Sequence, residues 1–572
     1  MRSRRWQLVP PAAAAARLAD ELKLSALLSQ LLASRGIDQP ALASAFLDAR
    51  LSDHLRSPML FREMASASCR VADALARNER IGIYGDYDVD GISGSAVLVR
   101  FLRAVGARPE PLVHIPHRLR EGYGLNPIGI ERLAAGGAKV MITVDCGAVS
   151  HREIALANAR GMDVIVCDHH QVPETRPPAY AVINPIEPNA GFPFSGLCGA
   201  GTAFYLALGV RMQLRERGGT VADLRRELDL VALGTIADLV PIVEENRVLV
   251  KYGLREIERS TRPGIAALKR VSGVGQMSSG AVGFRLAPRL NAGGRLADAT
   301  RSLELLTTED EGRAEQLATG LDEENRARQG IEREMFVEAV RLIEAAGGVE
   351  GKHAIVLASP LFHPGVVGIV ASRMVERYYR PTVLIAAEEG GLGRGSGRSI
   401  SGFDLHGALA TCQDALERFG GHKMAAGLSI RLERVEELAT RFESAVASRS
   451  VPEDFVPQSR VDAEVTLNNL DAGCLADLER LEPFGTGNPE PVFIARGVRV
   501  RERRVVGEQH LKLRVEQNGR VLSAIGFGMT DHPAAGADFI DVLFSVMSNE
   551  WNGNISTELR LRDIRPAEPA RG

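Results

Sequence analysis

"IGIYGDYDVDG", residues 81–91, sets an apolar run directly against three carboxylates on alternate positions, Asp86, Asp88 and Asp90. In an extended chain side chains two apart share a face, so these acids would crowd one another. Like charges that close need a positive partner. The same order, an apolar run and then acids, returns twice: "KVMITVDCG" (139–147) ends in Asp145, and "DVIVCDHH" (163–170) ends in Asp168, His169 and His170. Between these runs, "SGSAVLVRFLRAVG" and "HREIALANARG" read as helices. Strand, helix, strand, helix, strand predicts a parallel α/β sheet. Such sheets bind ligands outside the carboxyl ends of their strands, so three segments far apart in sequence are expected to converge on one cleft. A further apolar run, "LDLVALGTIADLVP" (228–241), puts Asp238 just past its end, and periodicity alone does not separate helix from strand there.

Crowded carboxylates joined by adjacent histidines make an oxygen and nitrogen ligand set suited to Mn²⁺ or Mg²⁺, not to zinc held by thiolates. The set is large enough for two ions sharing a bridging carboxylate, and two ions roughly 3.5–4 Å apart clamp an in-line displacement at phosphorus. Phosphoester hydrolysis is the implied chemistry. Neighbours in an extended segment point opposite ways, so one of His169 and His170 is expected to ligate while the other reaches elsewhere in the cleft. Asp168 either orients an imidazole or caps a turn. Taken alone, the D-x-D-x-D run reads equally well as a solvated turn.

The whole chain sets the bounds. Its 572 residues are enough for several domains, and a formal charge of −3 argues against a uniformly basic nucleic-acid coat while permitting local basic patches. Six cysteines, scattered without C-x-x-C spacing, indicate neither a zinc site nor a disulfide framework, and a reducing cytoplasm fits them best. The N-terminal stretch, interrupted by Asp20, Glu21 and Lys23, reads as an amphipathic helix and not a signal peptide, and no membrane span is expected.

Residues 1–75 are Ala/Leu-rich and read as helical. Residues 301–347 carry dense charge with apolar positions at helical spacing and stop at Gly347-Gly348, as a helical connection would. A second α/β body comes next, with strands "HAIVLAS" and "PTVLIAA" around a helix "GVVGIVASRMVERYY". "VASRSVPEDFVPQ" (446–458) reads as a linker. Beyond it, short alternating segments predict a small all-β barrel.

"DYDVDG", "VDCG", "DHH" and "GTIADLVP", in this order, resemble the four motifs of the DHH phosphoesterase superfamily. "IPHRLREGYGL", "FRLAPRLNAGGRL", "HPGVVGIVASR", "SGRSISGFDLHGAL", "FGGHKMAAG" and "LEPFGTGNPEPVF" look like the bacterial RecJ family, single-strand-specific 5′-to-3′ DNA exonucleases. One departure is Phe362, where a tryptophan is expected. The resemblance implies two α/β bodies, DHH (76–300) and DHHA1 (348–447), joined by a long helix (301–347), after a helical region (1–75) and before an OB-fold (455–566). It implies Asp88, Asp90, Asp145, His169 and Asp238 as ligands of two Mn²⁺ or Mg²⁺ ions, with Asp86, Asp168 and His170 in supporting catalytic roles. Arg118, Arg289, Arg295, Gln329, Ser396, Arg398, His422 and Lys423 become candidates for holding the strand. "GRGSGRSISG" reads otherwise as an ordinary Gly/Ser turn, and "FGGHKMAAG" as a tight loop closed by a helix. Trp551 and Phe527 are candidate stacking platforms, or core. Single-stranded DNA is the expected substrate, with a single-strand-binding protein and a helicase as expected partners and no membrane. The rivals are a DHH hydrolase of short oligonucleotides or cyclic dinucleotides, and an inactive nucleic-acid-binding scaffold.

Overall fold

A strand, β1 (Arg5–Leu8), opens the chain where composition predicts only helix, although helices fill much of the chain from there to residue 76. The computed structural model describes residues 4–118, 120–296, 298–388, 390–551 and 554–567. The chain forms two units. One comprises Pro11–Asn325 and Asp471–Pro491, the other Met1–Pro10, Arg326–Leu470 and Val492–Gly572.

The first unit is built on five parallel strands, β2 (Arg80–Gly85), β3 (Leu112–His114), β4 (Ala138–Val144), β5 (Asp163–Cys167) and β6 (Ala181–Ile183), in the order β3-β2-β4-β5-β6. Ile81, Ile83, Val140, Ile142, Val164 and Ile165 are all buried, as the unbroken apolar runs require of a sheet covered on both faces. The helices Val89–Ala104, Gly199–Glu216 and Leu228–Ala237 pack on one another. The last settles the ambiguous run as a helix: it is apolar all round because it is buried all round.

The segment Asp471–Pro491 leaves the barrel sequence and joins this first unit, which local patterning gave no reason to expect. Arg247, only 1% exposed, anchors it. Its guanidinium donates to the carbonyls of Phe46, Leu481, Arg480 and Glu482 at 2.7–3.0 Å and lies 3.7 Å from the centroid of the Phe46 ring. Arg247→Ala strips four carbonyls of their donor, and a lost buried partner costs roughly 1–3 kcal/mol. The expected result is a denaturant midpoint lowered by an amount equivalent to about 2–4 kcal/mol.

In place of one helix across 301–347 there are two, Thr300–Thr307 and Glu311–Ala345. The break has a local cause: Asp310 Oδ1 accepts the amide of Arg313 at 2.6 Å and restarts the helix as an N-cap. The second α/β body carries β7 (Ile355–Ser359), β8 (Thr382–Ala387), β9 (Leu392–Arg398), β10 (Arg418–His422) and β11 (Ala425–Arg431) in the order β10-β11-β9-β8-β7. The glycine-rich "LGRGSGR" is thus a strand and not a turn, and "FGGHKMAAG" is a hairpin and not a loop closed by a helix. The linker is ordered: residues Pro452–Phe455 form a turn, and Phe455 is buried under Arg380, whose guanidinium lies 4.2 Å from the ring centroid.

After it, β12 (Gln458–Val461) pairs in parallel with β1, and the Trp6 indole donates to Asp563 at 2.7 Å. The short β13 (Ala463–Glu464) precedes β14 (Phe493–Val506), β15 (His510–Gln517), β16 (Arg520–Gly526), β17 (Phe539–Trp551) and β18 (Asn554–Pro566). The order β14-β15-β16-β18-β17 closes where β17 returns to β14, giving the expected barrel with no open edge among these five strands.

Candidate active site

Each acid sits where its strand stops. Asp86 follows β2, Asp145 follows β4 and Asp168 follows β5, while Asp238 caps the C-terminal end of Leu228–Ala237. The alternation of Asp86, Asp88 and Asp90 is not that of an extended strand. Asp88 is the N-cap of Val89–Ala104, its Oδ1 accepting the amides of Asp90 and Gly91 at 2.9 and 3.1 Å, so Asp90 belongs to the first helical turn. The helix turns Asp90 towards Asp145, His169 and Asp238. His169 Nε2 lies 3.1 Å from Asp145, 3.5 Å from Asp238 and 3.8 Å from Asp90. Ligand atoms of Asp90, His169 and Asp238, of Asp145, His169 and His170, and of Asp86, Asp88 and Asp145 form three groups, each within 4.8 Å.

His169 and His170 do not point apart. Their ring centroids are 4.7 Å from each other and both rings face Asp145, because the segment after β5 is a bend and not an extended strand. Asp168 is what fixes them. Its Oδ1 accepts both histidine amides and lies 2.8 Å from His170 Nδ1, and its Oδ2 accepts the amide of Ala148 at 2.8 Å. It therefore both shapes the turn and orients an imidazole.

The charges are unbalanced. Burial, followed by the charge of a neighbouring aspartate, pushes the carboxyls of Asp86, Asp88 and Asp145 upward, and Asp238 is pushed to about 8. Asp86 Oδ1 is buried without a hydrogen-bond donor, and Asp145 holds a left-handed backbone at φ 64°, strain of the kind that functional sites retain. A divalent cation would give the unpartnered Asp86 oxygen a partner and cancel the repulsion among the carboxylates. Burial pushes His169 down, keeping a neutral imidazole fit to ligate. Burial also opposes charge on His170, yet the bond to Asp168 and its carboxylate charge raise it to about 9. Burial and the Asp168 bond thus shift two adjacent histidines in opposite directions.

Two contributions escaped the sequence reading. The amides of Gly199 and Ala200, at the start of Gly199–Glu216, donate to Asp90 at 2.5 and 2.8 Å; a Cβ on Gly199 would lie 2.5 Å from that of Asp145, so only glycine fits. The cue was "LCGAG" opening a helix. Tyr123, quoted only within a motif, donates its hydroxyl to the Asp145 carbonyl at 3.1 Å and stands beside the His170 ring.

The strand-holding candidates fall in two groups, one in each unit. In the first, the Arg118 guanidinium lies 5.0 Å from the centroid of the Tyr87 ring, and the charge of Arg295 also bears on that tyrosine, within the acid loop. Arg289 is engaged by Asp322 at 2.8 Å. In the second, Ser396 and Arg398 lie on β9, bonded to each other at 2.9 Å. Arg398 is in register with Ala425, and the Ser399 amide donates to Met424 O, so the end of β10 with His422 and the hairpin turn with Lys423 adjoin them. The glycines between these side chains serve packing: a Cβ on Gly393, Gly395 or Gly397 would meet Ile385, Leu428 or Leu405 at 2.6–3.0 Å. Gln329 is exposed on the long helix Glu311–Ala345. Phe527 is 48% exposed, whereas the side chain of Trp551 lies outside the described residues.

Comparison with known proteins agrees with this geometry. Family models match for the DHH family N-terminal domain at residues 80–235, the DHHA1 domain at 351–448 and the RecJ OB domain at 461–563. The single-stranded-DNA-specific exonuclease RecJ of Dickeya dadantii is 39% identical over 565 residues, covering 95% of this chain and 96% of that protein. RecJ of Escherichia coli is 34% identical, covering 95% of this chain and 96% of that one. A crystal structure of RecJ from Thermus thermophilus in complex with Mn²⁺ is 31% identical and superposes with a TM-score of 0.84, covering all of this chain and 81% of that chain. The same protein in complex with Mg²⁺ gives 0.74.

Proposed function

The chain belongs to the RecJ family of single-stranded-DNA-specific exonucleases, and from that premise we propose that it digests such strands from the 5′ end to mononucleotides, in DNA repair and recombination. It is a metal-dependent exonuclease on single-stranded DNA. The observation that carries the reading is the convergence of Asp90, Asp145 and Asp238, from three separate segments, on His169, each within 3.8 Å of its Nε2.

Asp88, Asp90, Asp145, His169 and Asp238 would hold two Mn²⁺ or Mg²⁺ ions, which would supply Lewis acidity at the scissile phosphate and lower the pKa of an attacking water. Asp86 completes the acid group beside Asp88 and Asp145. Asp168 keeps His170 oriented and cationic, and His170 donates to the phosphate oxygens as negative charge grows on them in the transition state. Arg118, Arg289, Arg295, Gln329, Ser396, Arg398, His422 and Lys423 hold the strand. Residues 76–300 are the catalytic domain, with 1–75 preceding it, 301–347 connecting it to the second body at 348–447, and 455–566, apart from the inserted Asp471–Pro491, forming the strand-binding barrel. An enzyme that needs an unpaired end depends on unwinding, so a helicase and a single-strand-binding protein in the cytoplasm fit as partners. Among the described residues no helix is long and apolar enough to cross a membrane.

Digestion of the same single strand labelled at either end tests polarity. Early release of the 5′ label as mononucleotide is the expected result, and early release of the 3′ label would overturn it.

The barrel contributes grip and not chemistry. Phe527 is flanked by His510, at 5.1 Å between ring centroids, and by Arg560, 5.7 Å from its ring. Phe527→Ala should weaken binding of a long strand about tenfold, the scale of one lost base stack, while leaving hydrolysis of a trinucleotide unchanged. A single substitution is a cleaner test than truncation near residue 452, which would also remove the Arg480, Leu481 and Glu482 carbonyls that Arg247 needs.

A further inference from the structure

Phe284 stands in water, 83% exposed, between the buried Val282 and Leu286. Its backbone is equally unusual. Residues Val282–Leu286 form a π-helical turn inserted just before the helix Ala287–Leu296. Such insertions shift the phase of the side chains around the axis and concentrate at functional sites.

The turn and the helix that follows it each pack against a segment of the acid cleft. A Cβ on Gly283 would lie 3.7 Å from Ile236 Cγ2, in the last turn of the helix that Asp238 caps. The carbonyl of Ile236 accepts the amide of Leu239 at 3.3 Å. Leu239 directly follows Asp238, is 71% exposed and holds a left-handed φ of 60°, a costly conformation for leucine that points its apolar side chain at solvent. Further along, a Cβ on Gly294 would lie 2.8 Å from the carbonyl of Tyr87, between Asp86 and Asp88. Gly283, the residue before the exposed Phe284, thus packs on Ile236, two positions from Asp238, and the Ile236 carbonyl also holds the turn that carries the exposed Leu239.

We propose that Phe284 is a stacking platform for a nucleobase of the strand under cleavage. The acids and their ions engage phosphate, and nothing in that set holds a base. A base has two apolar faces of aromatic size, and any of the four fits a ring, as an exonuclease without sequence preference requires. Covering Phe284 with a base also removes from water the apolar surface that the fold leaves open.

This inference rests on the exonuclease reading, and the test separates the two. Parent, Phe284→Ala and Phe284→Trp enzymes are compared on a 5′-phosphorylated oligothymidylate and on a strand of equal length whose first few units are abasic. On the base-bearing strand Phe284→Ala should raise KM about tenfold with kcat held within about twofold, and Phe284→Trp should restore it. On the abasic strand, parent and Phe284→Ala should coincide. Equal losses on both strands, or no loss on either, would overturn the platform. A parent that digests neither strand would instead overturn the exonuclease reading. Thermal midpoints should match across the three proteins because the side chain supports no core, and a large drop would assign Phe284 to folding.

Discussion

Asp145→Asn is expected to lower kcat about a thousandfold or more, equivalent to roughly 4 kcal/mol of barrier, while leaving the metal-free protein as stable as the parent or more so. The two halves of that result have one cause. Asp145 belongs to two of the three ligand groups and lies 3.1 Å from His169, so its carboxylate is placed to serve both groups, and its loss would weaken both. Asparagine keeps the left-handed backbone that residue 145 holds at φ 64°, since it tolerates that region better than most side chains. It also removes a buried negative charge that burial and the neighbouring aspartates make costly. Asp238→Asn should behave alike, and it adds a pH signature. The folded Asp238 carboxyl titrates at about 8, above its ordinary value, so the metal-free folded state binds more protons than the unfolded one between those limits. Stability of the metal-free parent therefore falls as pH rises through that window. Mn²⁺ or Mg²⁺ should remove the slope, and Asp238→Asn should make it shallower without metal, the raised carboxyls of Asp86, Asp88 and Asp145 supplying the remainder. Chelation should abolish hydrolysis and either ion restore it. Full turnover by metal-stripped enzyme would sink the mechanism.

The parts of this site that were legible beforehand are those that local chemistry specifies. An apolar run followed by an acid marks a buried strand and its carboxyl end, and that rule located Asp86, Asp145 and Asp168. It could not show that Asp88 would cap a helix, because a cap and an extended alternation share the same D-x-D spacing; the choice is made by the packing of Val89–Ala104 on Gly199–Glu216 and Leu228–Ala237. Nor could it resolve 228–237, where burial on every side erases the periodicity that tells helix from strand. Glycines misled at 392–398. Their low strand propensity suggests a turn, yet they form a strand because Ile385, Leu428 and Leu405 press on that face and leave no room for a Cβ. Pairings such as β1 with β12, and Arg247 with the carbonyls of residues 480–482, join positions hundreds of residues apart, and no window of local sequence contains both partners.

Arg398→Ala is expected to erase discrimination between a 5′-phosphate and a 5′-hydroxyl end. Arg398 closes β9 with its Nη1 donating to Ser396 Oγ at 2.9 Å and to the Gly397 carbonyl at 2.8 Å, which fixes the plane of the guanidinium. A Cβ on Gly368 would lie 2.8 Å from Arg398 Nη2 and 3.0 Å from Ser396 Oγ, so both side chains rest on the first turn of the helix Val367–Tyr378. A planar donor, a hydroxyl and the positive end of a helix dipole at one point suit a dianion better than the monoanionic links within a strand. Losing one charge-assisted contact costs roughly 1.5–3 kcal/mol, a ten- to hundredfold fall in kcat/KM on the phosphorylated strand. The hydroxyl-ended strand, which never makes the contact, should be digested at nearly the parent rate. Arg398→Lys should recover part of the preference, because an ammonium supplies charge without the paired donors. The measurement is the ratio of initial rates on the two ends below saturation. An unchanged ratio in Arg398→Ala, beside a clear preference in the parent, would move end recognition to Arg295 or Gln329 ahead of Arg289, whose guanidinium Asp322 already holds.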